Sequence, residues 1–299
     1  MHDHAHHHGA AADARKLAAA LALILSFMAV EVVAGIVAGS LALLSDAAHM
    51  LTDAAAIGLS LVAARLAARP AKGAMTYGLG RAEILSAQAN GVTLLVLAAF
   101  VAYEGVRRIV SPPNVDGALV LAVALAGIAV NLGAAWILAR AERRSLNVEG
   151  SLQHIVTDLY AFMGTAVAAV VILATGFDRA DPIASLAVAA LMIRSGYTLV
   201  RASGRVFLEA APEGVDPDAI GRALAGQPGV VEVHDLHVWE VTSGFPALSA
   251  HVLVGRDTDC HTARLGLATL LRDRFQIDHA TLQVDHEHGE LLQVEPRQP

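Results

Sequence analysis

Long apolar runs, separated by short polar or glycine- and proline-containing breaks, occupy the first two thirds of the chain. Six of these runs approach the roughly 20 residues that a helix needs to cross about 30 Å of hydrocarbon. The pattern therefore predicts six membrane-spanning helices, over residues 17–38, 41–64, 82–104, 117–139, 149–176 and 182–201. Together they form a predicted transmembrane domain over residues 15–204.

After residue 204 the pattern changes to shorter segments in which apolar and polar residues alternate. A helix is predicted to start at Asp216-Pro217, because an acidic cap followed by proline is typical of a helix N-terminus. Two strands, a helix and a strand follow, predicted over residues 230–241, 247–254, 261–275 and 280–285. This order indicates a ferredoxin-like α+β domain over residues 205–290, before a disordered tail over 291–299.

Positive charge is unevenly distributed between the two sides of the predicted bundle. Eleven Lys and Arg residues fall in the leading segment, the second and fourth breaks and the exit from the last helix, whereas three fall in the opposite breaks. Since loops rich in Lys and Arg stay on the cytoplasmic side, we expect both termini and the tail domain to be cytoplasmic. The chain is thus predicted to be a multi-pass protein of the cytoplasmic (inner) membrane.

Composition agrees with a membrane protein that carries a soluble part. Hydrophobic residues make up 55% of the 299 residues and charged residues only 16%, against about 25% charged residues in soluble proteins. The net charge of −7 disfavours nucleic acid as a partner, because nucleic acid attracts basic surfaces. The single cysteine, Cys260, excludes an internal disulfide and a thiolate metal cluster.

Two matched His-Asp pairs lie inside the apolar segments. His49 precedes Asp53 by four residues, and His154 precedes Asp158 by the same spacing, so each pair shares one face of its helix. Ionisable residues inside membrane helices are rare and usually functional. Two imidazoles and two carboxylates would complete a tetrahedral zinc site, and protons would compete with the metal for these ligands. The alternative is a structural role, in which each pair joins helices by hydrogen bonds.

Four more polar residues fall within the predicted spans and form a candidate second shell or pathway: Glu31, Asp46, Asn90 and Asn131. Asp46 lies one helical turn before His49 and is a candidate to orient its imidazole. The other three are candidates to line a hydrated path. For the two amides, interhelical hydrogen bonding is the alternative.

Histidines outside the membrane form two further groups. The first is an N-terminal tract within residues 1–14, a composition typical of metal capture, with an interrupted expression tag as the alternative. Its members are His2, His4, His6, His7 and His8. In the tail, His234 and His251 fall on adjacent predicted strands and Asp285 ends the third. Paired strands can bring such side chains to one ion.

The whole set of motifs resembles the cation diffusion facilitator family, the exporters of zinc, cobalt and cadmium, over nearly the full chain. The likeness rests on GSLALLSDAAHMLTD (39–53), YGLGRAEILSAQAN (77–90), VEGSLQHIVTDLYAFMG (148–164), DPIASLAVAALMIRSGY (181–197) and VHDLHVWEVTSG (233–244). The resemblance implies a homodimer with a six-helix transmembrane domain and a cytoplasmic metallochaperone-like domain. It further implies metal–proton exchange at a transport site formed by His49, Asp53, His154 and Asp158.

Two features depart from the family pattern. The break over residues 65–81 contains no histidine, so no metal site is predicted there. In the tail, Gln283 stands where some members place a histidine. The remaining tail pattern is matched by His234, His251, His261 and Asp285. We therefore expect a mononuclear or weakened regulatory zinc site in the tail. A pairing of Arg81 with Glu209 across the dimer is a further hypothesis.

The sequence thus favours a secondary transporter that exports Zn²⁺, and also Cd²⁺ or Co²⁺, in exchange for protons, rather than an enzyme. An intramembrane metalloenzyme is disfavoured because the chain lacks HExxH and a four-ligand site leaves no position for an activated water. A membrane metal sensor, which binds zinc without moving it, stays open as an alternative.

Overall fold

The structure is a computed structural model of the chain and describes residues 22–23, 25–139 and 146–287. Its helices are α1 (Leu25–Ala38), α2 (Leu41–Ala67), α3 (Arg81–Val110), α4 (Gly117–Ala139), α5 (Leu146–Thr175), α6 (Ala180–Phe207), α7 (Pro217–Ala225) and α8 (Cys260–Phe275). Its strands are β1 (Val230–Thr242), β2 (Phe245–Val254) and β3 (His279–His286). The N-terminal histidine tract and the predicted tail over 291–299 lie outside the described residues.

Five helices in the described part of the chain are long and apolar enough to cross a membrane. Their spans are Leu41–Ala67, Arg81–Val110, Gly117–Trp136, Asp158–Thr175 and Ala180–Phe207. The chain is therefore a helical multi-pass membrane protein, as predicted. The helix α1 is apolar but shorter, and because most of the predicted residues before it lie outside the described ranges, the sixth span stays a prediction.

Three of the helices extend beyond their predicted C-terminal ends. The helix α2 continues to Ala67 rather than 64, α3 to Val110 rather than 104, and α6 to Phe207 rather than 201. At the end of α3, Glu104 accepts hydrogen bonds from Arg107 (3.2 Å) and Arg108 (3.1 Å). Such pairs three and four residues apart stabilise a helical turn outside the apolar span, so the helix does not end where hydrophobicity ends.

The chain divides into two compact units. The first contains residues up to Gly58 together with Ala89–Leu199, and the second contains Leu59–Gln88 together with residues from Val200 onward. The second unit therefore holds the tail domain and the adjoining ends of α2, α3 and α6. The predicted domain boundaries at 204/205 and 290/291 stay predictions.

In the first unit, small residues allow the helices to approach closely. The turn between α1 and α2 is made at Gly39, whose φ of +67° is readily adopted only by glycine. One turn before it, a Cβ on Gly35 would lie 3.0 Å from the Leu44 side chain. Deeper in the unit, Phe27 of α1 packs edge to face on the fully buried Phe162 of α5, with ring centroids 5.7 Å apart.

The tail domain in the second unit has the predicted order of elements. Its sheet has the order β1-β2-β3, with β1 and β2 antiparallel and β2 and β3 parallel. One face of β2, formed by Leu248, Ala250, Val252 and Val254, is buried in a core completed by Ile220 and Leu224 of α7 and Leu267 and Leu271 of α8. Asp216 caps α7 by accepting from Asp218 N, with Pro217 in its first turn. The N-terminus of α7 is therefore at the predicted position.

Candidate metal sites

The helix α2 brings His49 and Asp53 together on one face. His49 Nε2 lies 3.6 Å from Asp53 Oδ2, and the two side chains are 14% and 19% exposed. The spacing of four residues alone accounts for this contact, because the helix repeats every 3.6 residues. A mostly buried imidazole beside a carboxylate provides one nitrogen and one oxygen donor for a metal ion.

The second predicted pair lies on α5. Asp158 is only 1% exposed and interacts electrostatically with Asp46 of α2, so α5 presents this carboxyl group toward the helix that carries His49. The side chain of His154 lies outside the described part of the structure. Its backbone belongs to the same continuous helix, so a shared face with Asp158, four residues later, stays a prediction from helical periodicity.

Additional buried acids surround these donors. Glu31 of α1 is 0% exposed and Asp46 of α2 is 1% exposed. In their ionised forms these two carboxyl groups repel each other, and both are also repelled by the carboxyl group of Asp158. No described N–H or O–H group donates to either side chain, and no described Lys or Arg forms an ion pair with them. Uncompensated buried negative charge is very unfavourable, so this cluster requires protons or a metal cation.

The two amides of the predicted pathway are also partly unsatisfied. Asn131 is buried and donates from Nδ2 to Gly127 O of its own helix (3.0 Å), rather than to a neighbouring helix. Its Oδ1 and that of Asn90 are buried and accept no hydrogen bond from the described residues. These carbonyl oxygens are therefore available to water, a proton donor or a cation.

A second candidate site lies on the tail sheet. His234 of β1 pairs with His251 of β2, and their ring centroids are 5.4 Å apart. His251 Nδ1 also lies 3.5 Å from Asp235 Oδ2. The ligand atoms of these three residues all lie within 4.8 Å of one another, which suits a small divalent ion.

A β-bulge is the reason that Asp235 joins this cluster. Between the pairs His234–His251 and His237–Ser249, β1 has one residue more than β2, and Asp235 takes a φ of +50°. A bulge redirects a side chain that regular alternation would place on the other face. The predicted ligand set does not contain Asp235; its local signal is its residue type, because aspartate is one of the residues that tolerate left-handed backbone conformations.

The two other predicted tail ligands lie outside this three-residue cluster as the structure describes it. The backbone N–H of His261, in the first turn of α8, donates to Asp259 Oδ1 (3.1 Å). Asp285 accepts from Gln283 Nε2 (2.8 Å). In the sheet, His251 pairs with Gln283 and Leu253 pairs with Asp285. Gln283, the departure from the family pattern, therefore lies beside the histidine cluster.

The loop between α2 and α3 contacts the tail sheet within the second unit. Thr242 Oγ1 donates to Gly80 O (3.0 Å), and Arg81 Nε donates to Val241 O (3.1 Å). Tyr77 packs against Phe245 and His279, with centroids 6.4 and 5.7 Å apart. The loop and the sheet line a solvent-open cleft of about 1060 Å³.

The pair hypothesised to form across the dimer is joined within one chain. Arg81 Nη2 lies 3.6 Å from Glu209 Oε1, with side chains 41% and 65% exposed. Exposed pairs of this kind contribute about 0–1 kcal/mol, so this one adds little to the contact between the loop and the tail domain.

Comparison with known proteins identifies two matching family models. The model "Cation efflux transmembrane domain" matches residues 17–208, and "Cation efflux protein, cytoplasmic domain" matches residues 212–287. Together they cover most of both units of the chain.

Among curated relatives, the cadmium, cobalt and zinc/H(+)-K(+) antiporter of Bacillus subtilis (strain 168) is 34% identical over 98% of this chain and 96% of its own length. The zinc transporter ZitB of Escherichia coli (strain K12) is 38% identical over 93% of this chain and 90% of its own length. The metal cation efflux system protein CzcD of Cupriavidus metallidurans is 35% identical over 95% and 89%, respectively. The similarity thus extends over nearly the full length of each protein.

Proposed function

The chain belongs to the cation diffusion facilitator family, and from this premise we propose that it exports Zn²⁺ from the cytoplasm in exchange for protons. The observation that carries the proposal is an imidazole and a carboxylate held together on α2, with buried acids on both α2 and α5: His49 Nε2 lies 3.6 Å from Asp53 Oδ2, and Asp46 and Asp158 are each 1% exposed. Zinc in this site is the substrate, held by His49, Asp53, His154 and Asp158.

The proposed donor set would favour zinc as the substrate. Two neutral imidazoles and two carboxylates match the tetrahedral, nitrogen- and oxygen-containing sites of Zn²⁺, whereas Mg²⁺ and Mn²⁺ favour oxygen ligands. The two carboxylates also neutralise the charge of the divalent ion, which lowers the penalty for carrying it into the bilayer. The name of the Bacillus subtilis relative includes cadmium and cobalt, which supports Cd²⁺ and Co²⁺ as further substrates of this chain.

Exchange with protons follows from competition for the same ligands. A metal binds imidazole and carboxylate only in their deprotonated forms. The extra acids Glu31 and Asp46 add negative charge around the ion, and neither has a cationic partner among the described residues. Departure of Zn²⁺ therefore leaves buried charge that protons must neutralise, which links release of the metal to uptake of protons.

The tail cluster has a regulatory role in this proposal. His234, Asp235 and His251 provide three ligand atoms on a partly exposed sheet, so cytoplasmic zinc can reach them. The strands that carry them, β1 and β2, also carry Thr242 and Phe245, which contact the α2–α3 loop, as does His279 of the neighbouring β3. Zinc binding in the tail would thereby affect the ends of α2 and α3. The cytoplasmic-domain family match supports a homodimer as the working unit.

Zinc uptake into inside-out membrane vesicles tests the proposal. We expect uptake to require a proton gradient and to fall to background in Asp53→Ala and Asp158→Ala. Asp178→Ala is a matched control, since this acid lies in the α5–α6 connection outside the site. Uptake that is independent of the gradient, or full activity in both site variants, would exclude the mechanism. Binding of zinc without flux would instead identify a sensor.

A further inference from the structure

One buried carboxylate, Asp181 at the start of α6, caps the N-terminus of a different helix. Asp181 Oδ2 accepts from Leu41 N at 2.7 Å, and Oδ1 accepts from Ala42 N at 3.4 Å. The Ser40 hydroxyl donates to the same carboxylate. All four residues are almost completely buried. Residues 140 positions apart are thus joined at the first turn of α2, the helix that carries His49 and Asp53.

Ser40 supplies the local half of this cap. Its Oγ accepts from Leu43 N at 3.2 Å, as an N-cap residue does for the third residue of a helix. The Ser40 backbone N–H donates to Gly35 O at 3.0 Å. The amides at the start of an α-helix have no partner within the helix. Here the first three are satisfied, two of them by Asp181.

The turn that precedes α2 is held by two other helices as well. Arg108 of α3 donates from Nη1 to Gly39 O at 2.7 Å, and the backbone N–H of Asp116, just before α4, donates to Ala38 O at 3.1 Å. Asp181 of α6, Arg108 of α3 and the segment just before α4 therefore fix this end of α2 together. We call this set of contacts the α2 anchor.

The distance from the anchor to the metal ligands makes its geometry important. At 1.5 Å per residue, His49 lies about 12 Å and Asp53 about 18 Å along the axis from Leu41. A tilt of about 5° about the anchor would move these side chains by roughly 1–1.5 Å. Displacements of about 1 Å are sufficient to impair a preorganised site strongly.

We propose that Asp181 is a positioning residue for the transmembrane metal site: by capping α2 from α6, it sets the angle at which α2 presents His49 and Asp53 to α5. This inference rests on the proposed function, because it takes His49 and Asp53 as metal ligands. Asp181 itself touches no substrate in this proposal. Its effect is transmitted through the α2 backbone.

The test measures metal binding by the purified full-length protein with Zn²⁺ affinity and the absorption spectrum of bound Co²⁺. Zinc binding that is lost in Asp53→Ala defines the transmembrane site. We expect Asp181→Ala to weaken it by about 10- to 100-fold, as loss of a residue that orients ligands does, and to alter the Co²⁺ spectrum. Asp181→Asn keeps only one of the two acceptor oxygens, so its loss of affinity should be smaller than that of Asp181→Ala.

Two further variants separate positioning from general loss of stability. Asp216 caps α7 of the tail domain by accepting from Asp218 N at 3.0 Å; it is no member of the α2 anchor, and α7 carries none of the four proposed ligands. Asp216→Ala should lower the stability of its own helix and leave Zn²⁺ affinity at the transmembrane site and the Co²⁺ spectrum unchanged. Should Asp181→Ala not fold, Ser40→Ala removes only the local half of the cap and should give the same spectral change in weaker form.

The outcomes are distinguishable. Wild-type zinc affinity and an unchanged Co²⁺ spectrum in Asp181→Ala, or in Ser40→Ala should Asp181→Ala not fold, would overturn the positioning role even where the melting temperature falls. An equal loss of affinity in Asp216→Ala would also overturn it, because removal of an unrelated helix cap would then have the same effect. If Asp53→Ala itself leaves zinc binding unchanged, the proposed transport site is wrong, and that result is separate from the Asp181 measurement.

Discussion

Replacing Gly127 with alanine should disturb the packing directly beside the metal site. A Cβ at Gly127 of α4 would lie 2.5, 2.6 and 2.8 Å from three ring atoms of Phe162. Ordinary carbon contacts are about 3.5–4.0 Å, so the ring or its helix must move by about 1 Å. Phe162 is fully buried and packs on Phe27, so its ring cannot move aside without displacing neighbouring side chains. Overpacking of this kind costs about 1–3 kcal/mol.

Gly133→Ala on the same helix is the matched control. No described atom lies within 4 Å of a Cβ built there. Both substitutions gain the same helix propensity, about 1 kcal/mol for Gly to Ala, so the difference in unfolding free energy between the two variants isolates the clash. We expect Gly127→Ala to be less stable than Gly133→Ala by about 1–3 kcal/mol in denaturant unfolding in detergent.

Zinc transport should also be impaired more strongly in Gly127→Ala than in Gly133→Ala. Asp158 lies one helical turn before Phe162 on α5, so a shift of about 1 Å in this helix changes the geometry of the ligands and should reduce zinc flux in proteoliposomes by tenfold or more. Gly133→Ala should transport as wild type does. If the two alanine variants were equally stable and equally active, the packing of Phe162 would not determine the position of α5.

Three other predictions concern the tail domain. His251→Ala should weaken zinc binding at the tail cluster by about 10- to 100-fold, whereas His237→Ala, on β1 outside the cluster, should not; equal effects in a titration would contradict the three-residue site. The Thr262 hydroxyl and the His261 N–H donate to Asp259 and hold the pKa of its carboxyl below the ordinary value of 3.8. Its contribution to stability is therefore present above that pH and lost as the pH falls through the lowered pKa, and an Asp259→Asn variant whose stability falls as steeply between pH 5 and 2 would refute this. Finally, Asp216→Ala should destabilise the start of α7 by about 0.5–2 kcal/mol, detectable as faster amide exchange in α7 than in α8.

Features that depend on residues close together in sequence could be predicted well. The apolar runs identified the five membrane spans found among the described residues, because a helix of about 20 apolar residues satisfies all of its backbone hydrogen bonds within the bilayer. The His49–Asp53 contact follows from helical periodicity alone. The elements of the tail domain were recognised for the same reason, since caps and alternating strands are local signals.

The arrangement of distant residues was decided by the tertiary structure. Nothing in the local sequence joins Glu31 to Asp46, or Asp181 to the first amides of α2; these contacts exist because small residues let α1 approach α2 and because α6 packs against the same turn. In the tail, a single bulge brings Asp235 to His251, while pattern matching had favoured Asp285 and His261. Periodicity along a segment is encoded by its own residues, whereas the partner of a buried side chain depends on how separate segments pack, and that is a property of the whole chain.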